Sequence, residues 1–162
     1  MSGYRYLFYG LVTVSVGQVV YYYPQLPEVM ASHFDGSGSA NGWSSREVFF
    51  GIYLAMVVLV IGIFRLLPDW SQTHSRFSLK IPHREYWLAP ARREQTHAFF
   101  RNHMAVMGVA HLLLAIITIE LAIRANLGQH TRLHDGIYWA LSLYFIFLGG
   151  WLIHFFMHFR KQ

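Results

Sequence analysis

Histidine is the residue type in this sequence whose side chain is best suited to chemistry. The chain of 162 residues has ten histidines and no cysteine. Disulfides and thiolate sites are therefore excluded, which leaves imidazole as a candidate ligand for zinc, copper, nickel or iron. His154 and His158 lie four residues apart on one face of a predicted helix, and His103 opens another apolar run at a similar depth. These three histidines are candidate ligands of a transition metal or a b-type haem.

The alternative for the same histidines is a structural role at the membrane boundary, without a cofactor. Spacing of the HxxxH kind is a weak metal signal by itself, and the HExxH motif is absent. We therefore favour no cofactor from the sequence. A second group, formed by His33, His130 and His134 with Asp35 or Asp135 as helpers, is a weaker candidate for the same reason.

Two further polar residues, His111 and Glu120, lie within an apolar run. A polar group at that depth is expected to face other helices and to find a partner there. For His111 the candidate partners are Thr13, Ser15 or a backbone carbonyl, and a helix–helix hydrogen bond is favoured over a proton relay. Glu120 precedes Arg124 by four residues, which predicts a structural ion pair, and Gln18 is expected to reach the same region.

Enzymatic motifs are missing from the sequence. It contains no GxSxG, P-loop or GxGxxG pattern, and no strand is predicted before "GSGSANG" that would make it a phosphate-binding turn. We expect no enzymatic activity. Nucleic-acid binding is also not expected, because the basic residues flank apolar runs and are explained by a membrane.

The composition predicts an all-α integral membrane protein with a single domain, residues 1–162. Hydrophobic residues make up 54% of the chain and charged residues only 13%, whereas soluble domains carry about 25% charged residues. Crossing a bilayer takes about 20 apolar residues. Four segments satisfy that length and are predicted to span, at about residues 4–22, 48–67, 103–123 and 137–156.

The distribution of lysine and arginine predicts the orientation. With the N-terminus inside, ten basic residues lie on the inner side and three on the outer side, which is a strong positive-inside bias. The inner set is Arg5, Arg65, Arg76, Lys80, Arg84, Arg92, Arg93, Arg101, Arg160 and Lys161; the outer set is Arg46, Arg124 and Arg132. Both termini are predicted to be cytoplasmic, and residues 23–47 to form an outer loop.

The outer loop is dense in residues that specify local structure. Pro24 is expected to end the first helix, and Pro27 to open a short amphipathic helix that carries Leu26, Met30, His33 and Phe34 on one face. Asp35-Gly36 and Asn41-Gly42 predict two turns. Ser44 and Glu47 fit a capping box that opens the second span, with Trp43 and Val48 as its hydrophobic staple.

The inner loop, residues 68–102, combines basic residues with Tyr86 and Trp87. Its first half is typical of a segment on an anionic lipid surface. Pro90 is expected to open a helix that continues into the third span and projects about 20 Å beyond the bilayer core. Two interpretations of this projection remain open: a docking surface for a protein partner, and anchoring to lipid headgroups, which we favour.

One block of the sequence resembles a bacterial membrane domain of unknown function that forms the N-terminal module of SdpI-type toxin-immunity proteins, and a second block is similar to one that follows this domain in many uncharacterised members. The first block, "PQLPEVMASHFDGSGSANGW", carries the signature residues Pro24, Pro27, His33, Phe34, Asp35, Gly36, Asn41, Gly42 and Trp43. The second, "IPHREYWLAPARREQT", carries Tyr86, Trp87, Pro90, Arg92 and Arg93. The resemblance implies a multi-pass protein of the bacterial inner membrane. SdpI itself protects its producer from a secreted peptide toxin and holds a repressor at the membrane, but the second half of the present chain lacks the SdpI-type C-terminal module.

These observations together predict a non-enzymatic membrane protein. The expected role is that of a sensor, immunity or accessory component, whose outer loop meets a peptide ligand or protein partner. One alternative is a redox or metal-binding subunit that uses His103, His154 and His158. Another is a scaffold subunit of a larger membrane complex.

Overall fold

A computed structural model describes residues 3–73, 81–128 and 132–160 of the chain, and of residues 71–73 it describes the backbone alone. The described part is mostly helical and contains one small β-sheet. Its elements, in chain order, are α1 (Gly3–Tyr22), β1 (Val29–Phe34), β2 (Ala40–Ser45), α2 (Arg46–Ile61), a π-helical turn (Gly62–Leu66), α3 (Leu67–Thr73), α4 (Arg84–Trp87), α5 (Arg93–Leu127) and α6 (Gly136–His158).

Three helical segments in the described residues are long and apolar enough to cross a membrane. They are Arg46–Trp70, Arg93–Leu127 and Gly136–His158, and they contain the second, third and fourth predicted spans. The first predicted span is a helix of 20 residues, but tyrosines, glycines, Arg5 and Gln18 dilute its apolar character. The model therefore supports three membrane-type helices, and α1 as a fourth span stays a prediction.

Helix α5 is the central element of the bundle. The helices α1, α2 and α6 all pack against it. The main core lies between α1, α2 and α5, where Phe8, Tyr53, Leu112 and Ile123 are almost completely buried. By contrast, Ile137 is the only buried residue among those that the structure describes in α6. Helix α6 thus flanks α5 and leaves most of its apolar surface uncovered.

A close approach between three elements occurs at Gly108 of α5. A Cβ atom at this position would lie 2.7 Å from Cε2 of Phe8 and 2.8 Å from Cβ of Phe64. Both distances are shorter than real carbon–carbon contacts, so only glycine lets α1 and the π-helical turn approach α5 this closely.

The π-helical turn joins α2 and α3 into one long helical segment. The backbone N–H of Leu67 donates to the carbonyl of Gly62, five residues earlier. Pro68 follows directly and lacks an N–H, so a regular α-helical ladder would be broken at this point. The wide turn adapts the helix to that loss, and it places Phe64 against Gly108 and the ring of His111.

Residues 29–45 form an antiparallel hairpin. Val29 pairs with Ser45, Met30 with Ser44 and Ala31 with Trp43, and the register becomes irregular towards the tip. The tip is organised by Asp35, whose Oδ1 accepts hydrogen bonds from the backbone N–H groups of Ser37 and Ser39 at 2.8 and 3.0 Å. Gly38 has φ of +83°, a value that favours glycine.

The predicted helix after Pro27 is wrong, and the predicted all-α class is confirmed only in part, since the described residues are mostly helical but include this two-stranded sheet. The spacing of Leu26, Met30 and Phe34 fits a helix, and Leu26 and Met30 are indeed buried. In the structure Met30 is buried because it lies on the side of the strand that faces the bundle, and Val29 before it is exposed. Pairing with β2 decides between the two structures, and β2 lies too far along the chain for the local pattern to include it.

Two smaller predictions for this loop are also wrong. Asn41-Gly42 is not a turn but lies within β2, where a Cβ on Gly42 would be 2.9 Å from Cβ of His33. The N-cap of α2 is Ser45, which accepts from the N–H of Val48, and not Ser44, which pairs with Met30. Trp43 and Val48, the predicted staple, are both exposed. The end of α1 at Tyr22, before Pro24, is as predicted.

Candidate functional site

The hairpin and its flanks, residues 23–47, are fixed to the helices at three places, and we call this unit the hairpin platform. The first anchor is Asn126 of α5. Its Oδ1 accepts from the N–H of Ala31 at 2.7 Å, and its Nδ2 donates to the carbonyl of Ala31 at 3.0 Å. Nδ2 also donates to the carbonyl of Ala122 in its own helix, at 2.8 Å. One side chain of α5 thus pairs with β1 as a neighbouring strand would.

The second anchor is Arg46, the first residue of α2. Its Nη1 donates to the carbonyls of Tyr23 and Leu26 at 3.0 and 2.8 Å. The guanidinium group also lies 4.3 Å from the centre of the Tyr23 ring. Glu47 accepts from the hydroxyl of Tyr23 at 3.0 Å instead of closing a capping box. These contacts tie the end of α1 to the start of α2.

The third anchor holds the tip of the hairpin against the connection between α5 and α6. The N–H of Leu133 donates to the carbonyl of Gly38 at 2.8 Å. The hydroxyl of Tyr138 donates to the carbonyl of Gly36 at 2.7 Å. The tip is therefore joined to residues about 100 positions later in the chain.

The outward side of the platform presents apolar side chains and a strand edge. Trp43 and Val29 are 61% and 63% exposed. Because the backbone groups of Ala31 turn away from β2 to meet Asn126, those of its partner Trp43 turn away from β1. Within the described residues, the backbone of Trp43 has no further strand beside it. The platform thus combines a rigid base with an open edge at Trp43.

Most of the predicted signature residues build the hairpin. Asp35 and Gly36 form its tip, and His33 hydrogen-bonds Asn41 beside Gly42. Phe34 packs on the core, whereas Pro24 and Pro27 are exposed in the lead-in to β1. In the weaker histidine group, His134 accepts from the N–H of Gly136 at 2.9 Å, and His130 lies outside the described residues. The sequence did not indicate Asn126, Arg46 or Tyr138, whose partners are distant in the chain.

The carboxylate of Asp35, at the tip of the hairpin, is a titratable group whose pKa is shifted by its neighbours. The hydroxyl of Ser37 and the N–H groups of Ser37 and Ser39 donate to Asp35 and hold its pKa below the ordinary value. These hydrogen bonds favour the ionised form, because a protonated carboxyl accepts them less well. The turn is therefore built around a charged Asp35.

A polar network lies beneath the platform, between α1, α2 and α5. Glu120 accepts from Arg124 at 2.7 Å, from Tyr22 at 3.0 Å and from Gln18 at 3.2 Å. Gln18 in turn accepts from the hydroxyl of Tyr53 at 2.9 Å. The predicted ion pair and the reach of Gln18 are confirmed. Because Gln18 and Tyr22 donate to it from α1, Glu120 stabilises the contact between α1 and α5.

The partners of His111 differ in part from those predicted from the sequence. Its ring lies 3.0 Å from the carbonyl of Met107 and 3.0 Å from the hydroxyl of Tyr144 on α6. The backbone-carbonyl alternative is confirmed, whereas Thr13 and Ser15 bond to carbonyls of their own helix. His111 therefore links α5 to α6, in which Ile137 is the only buried residue among those described.

The three histidines at the opposite end do come together, within a stack of aromatic rings. The ring centres of His103 and His154 are 5.4 Å apart, and Phe99 lies parallel to His158 at 3.6 Å. Trp151 stacks on the other side of His103 at 4.3 Å. Nε2 of His103 is buried and has no hydrogen-bond partner within the described part of the chain. In that part, no set of three metal-binding side chains has ligand geometry.

The second signature block forms the short helix α4 and the start of α5. Trp87 donates to the carbonyl of Phe159 at 3.3 Å, and Thr96 donates to the carbonyl of Trp87 at 2.8 Å. Arg92 lies over the ring of Tyr86 at 4.1 Å. The long helix predicted from Pro90 begins at Arg93, with Pro90 in the preceding turn, and its 35 residues give it a length of about 52 Å.

Fold and site together describe a helical protein with membrane-type helices and a small hairpin platform. Residues 10–64 match the family model described as Domain of unknown function (DUF1648). The matched range contains most of α1, the whole platform and α2, whereas the second signature block lies outside it. No curated protein and no solved structure matches the chain.

Proposed function

We propose that this protein is a non-enzymatic membrane component that recognises an extended peptide, or an exposed strand of a partner protein, through the hairpin platform. The bound segment pairs with the backbone of β2 at Trp43 and packs against the Trp43 side chain. Strand addition of this kind takes its affinity from main-chain hydrogen bonds and its selectivity from side-chain contacts. Such binding would serve a sensor, immunity or accessory role.

The observation that carries this proposal is the contrast between the two sides of the platform. Towards the bundle, Asn126, Arg46 and Tyr138 hold the backbone at fixed positions. Away from it, Trp43 is exposed beside an edge without a neighbouring strand among the described residues. An edge that is already ordered loses little conformational entropy when a peptide binds.

In the proposed topology α1 also spans the bilayer, both termini lie in the cytoplasm, and the platform faces outward. The support is the excess of basic residues at the end opposite the platform. Three residues of that inner set, Arg76, Lys80 and Lys161, lie outside the described residues. The proposed location is a bacterial inner membrane, which rests on the resemblance of the first signature block.

The test compares two substitutions at one position in the full-length protein. Trp43→Ala removes the side chain but keeps the strand edge, whereas Trp43→Pro also removes the outward N–H, on which no pairing with β1 depends. A photo-reactive amino acid at Val29, an exposed residue of the neighbouring strand β1, is used in intact cells to capture the bound segment, which mass spectrometry then identifies. We expect one defined adduct that is weakened by Trp43→Ala and abolished by Trp43→Pro.

The matched control is Trp139 at the start of α6, which is 73% exposed and lies at the same end of the bundle. Trp139→Ala is expected to leave the adduct unchanged. An adduct that survives Trp43→Pro, or that Trp139→Ala removes equally, would show that the strand edge is not the binding site.

Point substitutions are sharper than removal of the loop. A deletion of residues 27–41 would take away Met30 and Ala31, which are 0% and 1% exposed. It would also leave Asn126 without its partner in β1. Loss of function after such a deletion would report a damaged bundle as readily as a lost binding site.

A second candidate function is histidine ligation of a metal or haem at the opposite end. It is supported by the buried, unpaired Nε2 of His103 among the described residues and by the nearby ring of His154. The rings of Phe99 and Trp151 stack on His103, with ring centres at 5.2 and 4.3 Å. Purified protein should be tested by absorption spectroscopy and metal analysis; a Soret band or stoichiometric metal that His103→Leu abolishes would support this function over a purely structural cluster.

A further inference from the structure

A polar pocket of about 200 Å³ lies at the end of the bundle opposite the hairpin platform. Three elements contribute one arginine each: α1 gives Arg5, the π-helical turn gives Arg65 and α5 gives Arg101. Asp69 and Asn102 complete its polar lining. We call this the arginine pocket.

The described lining of the arginine pocket carries a positive charge excess. Three guanidinium groups and one carboxylate line it, which gives 3 − 1 = +2. Arg65 forms an ion pair with Asp69, and its Nε donates to the hydroxyl of Tyr9 at 3.1 Å. The one carboxylate of the described lining is therefore already engaged by Arg65.

Arg5 is the side chain that points most directly to a ligand. Its Nε is buried and has no hydrogen-bond partner within the described residues. A buried donor without a partner costs free energy, and a charged donor costs more than a neutral one. An anion in the pocket would accept this bond and offset the cost.

The depth of the pocket indicates the source of the anion. Arg5 lies near the start of α1, Arg65 near the end of the long segment Arg46–Trp70, and Arg101 just before the apolar run of α5. The three arginines therefore meet where the apolar parts of three helices end together. In a membrane this is the level of the lipid headgroups.

We propose that the arginine pocket binds the phosphodiester of an anionic lipid headgroup. Guanidinium groups suit this ligand because their planar N–H pairs match two oxygens of one phosphate. The volume is sufficient for a phosphate with its immediate ester groups. An anionic lipid without a positively charged headgroup fits the excess of arginine better than a zwitterionic one. This proposal does not depend on the function of the hairpin platform.

The test uses the full-length protein in nanodiscs made of phosphatidylcholine alone, or of phosphatidylcholine and phosphatidylglycerol in equal parts. Thermal unfolding is followed in both kinds of nanodisc. Native mass spectrometry counts the lipids that stay bound after the protein is released from the nanodisc. We expect phosphatidylglycerol to raise the unfolding temperature and to be retained. We expect inorganic phosphate, added to the phosphatidylcholine nanodiscs, to do neither.

Substitutions then locate the site. Arg5→Gln and Arg101→Gln should each weaken phosphatidylglycerol retention by about tenfold, the effect of losing one charge-assisted hydrogen bond. Arg5→Lys keeps the charge but lacks Nε. Its retention of phosphatidylglycerol should lie between that of the unsubstituted protein and that of Arg5→Gln. The control is Arg93→Gln, an exposed arginine in the first turn of α5, which should not change retention.

Cross-linking of the unsubstituted protein tests the proposal without depending on the folding of any variant. Phosphatidylglycerol with a photo-reactive headgroup is expected to label the segments around Arg5 and Arg101. Labelling elsewhere, or equal sensitivity of retention to Arg93→Gln, would overturn the proposal. Stabilisation by inorganic phosphate alone would overturn the lipid as the source of the anion.

Discussion

Asn126 shows how one side chain can take the place of a strand. Its amide group satisfies both backbone groups of Ala31, a residue that is only 1% exposed. Without it, a buried N–H and a buried carbonyl would lack partners, at a cost of about 1–3 kcal/mol for each unsatisfied group. The stability of the hairpin platform therefore depends on a residue that lies 95 positions away from it in the chain.

We predict that Asn126→Ala lowers the free energy of unfolding by about 2 kcal/mol, since Ala31 loses both hydrogen bonds. Hydrogen exchange in detergent micelles should show faster exchange at Ala31 while α2 and α6 remain protected. The control is Asn41→Ala in the same hairpin, whose side chain is exposed and, among the described residues, bonds only His33. Equal exchange at Ala31 in the two variants would show that Asn126 does not hold β1.

Asp35 predicts a pH dependence of the hairpin tip. Its pKa in the folded protein is lowered by the donors of Ser37 and Ser39. The stabilisation is therefore present above the ordinary pKa of aspartate, about 3.9, and is lost as pH falls through the lower, folded value. The amide resonances of Ser37 and Ser39 should shift in that acidic range. In Asp35→Asn the shift should be absent, and a shift that persists would assign it to another group.

Among the residues of the site, those with local partners could be predicted, whereas those with distant partners could not, apart from the reach of Gln18 to Glu120. Glu120 and Arg124 are four positions apart on one helix, so their ion pair follows from helix geometry. The partner of His111 on α6, Tyr144, lies 33 positions away, and nothing in the local pattern selects it over Thr13 or Ser15. The sequence predicts Arg46 only as a basic residue of the outer side. In the structure its hydrogen bonds to Tyr23 and Leu26 hold the platform in place.

At the level of elements, the helices could be predicted and the hairpin could not. Long apolar runs have no other stable structure in a membrane, so the second to fourth helices contain the predicted spans. Residues 26–34 carry apolar side chains at spacings that both a helix and a strand accept. The decision lies in the pairing with β2 and with Asn126, which no short window of the sequence contains.

The packing of helices at Gly108 gives a prediction at the same scale. Gly108→Ala should destabilise the fold by about 1–3 kcal/mol, because the added methyl group overlaps Phe8 and Phe64. Thermal unfolding in micelles measures the change. Gly149→Ala in α6 is the matched control, since a Cβ there meets no atom of the described part of the chain within 4 Å. If both variants unfold at the same temperature, Gly108 is not a tight contact.

For the whole molecule, the proposed topology can be mapped with single cysteines because the natural chain has none. Ser32→Cys lies in the hairpin platform and Glu85→Cys in α4 at the opposite end, and both positions are exposed. A membrane-impermeant maleimide should label Ser32→Cys in intact cells. It should label Glu85→Cys only after the membrane is opened.

These two positions together test whether α1 spans the bilayer. Labelling of Ser32→Cys from outside, combined with an N-terminal tag that is accessible only from inside, requires α1 to cross. Labelling of both cysteines in intact cells would contradict the separation of the two ends by a membrane. A surface position of α1 would instead leave the tag and Ser32→Cys on the same side.

The central position of α5 has a consequence for the order of assembly. The family match ends at residue 64, before α5 begins at Arg93. During synthesis the two strands can meet early, but the amide that completes β1 emerges only with Asn126, and the contacts of the tip later still, with Leu133 and Tyr138. The segment that the family model covers, residues 10–64, therefore lacks the contacts that complete β1, and these become available only once α5 has been synthesised.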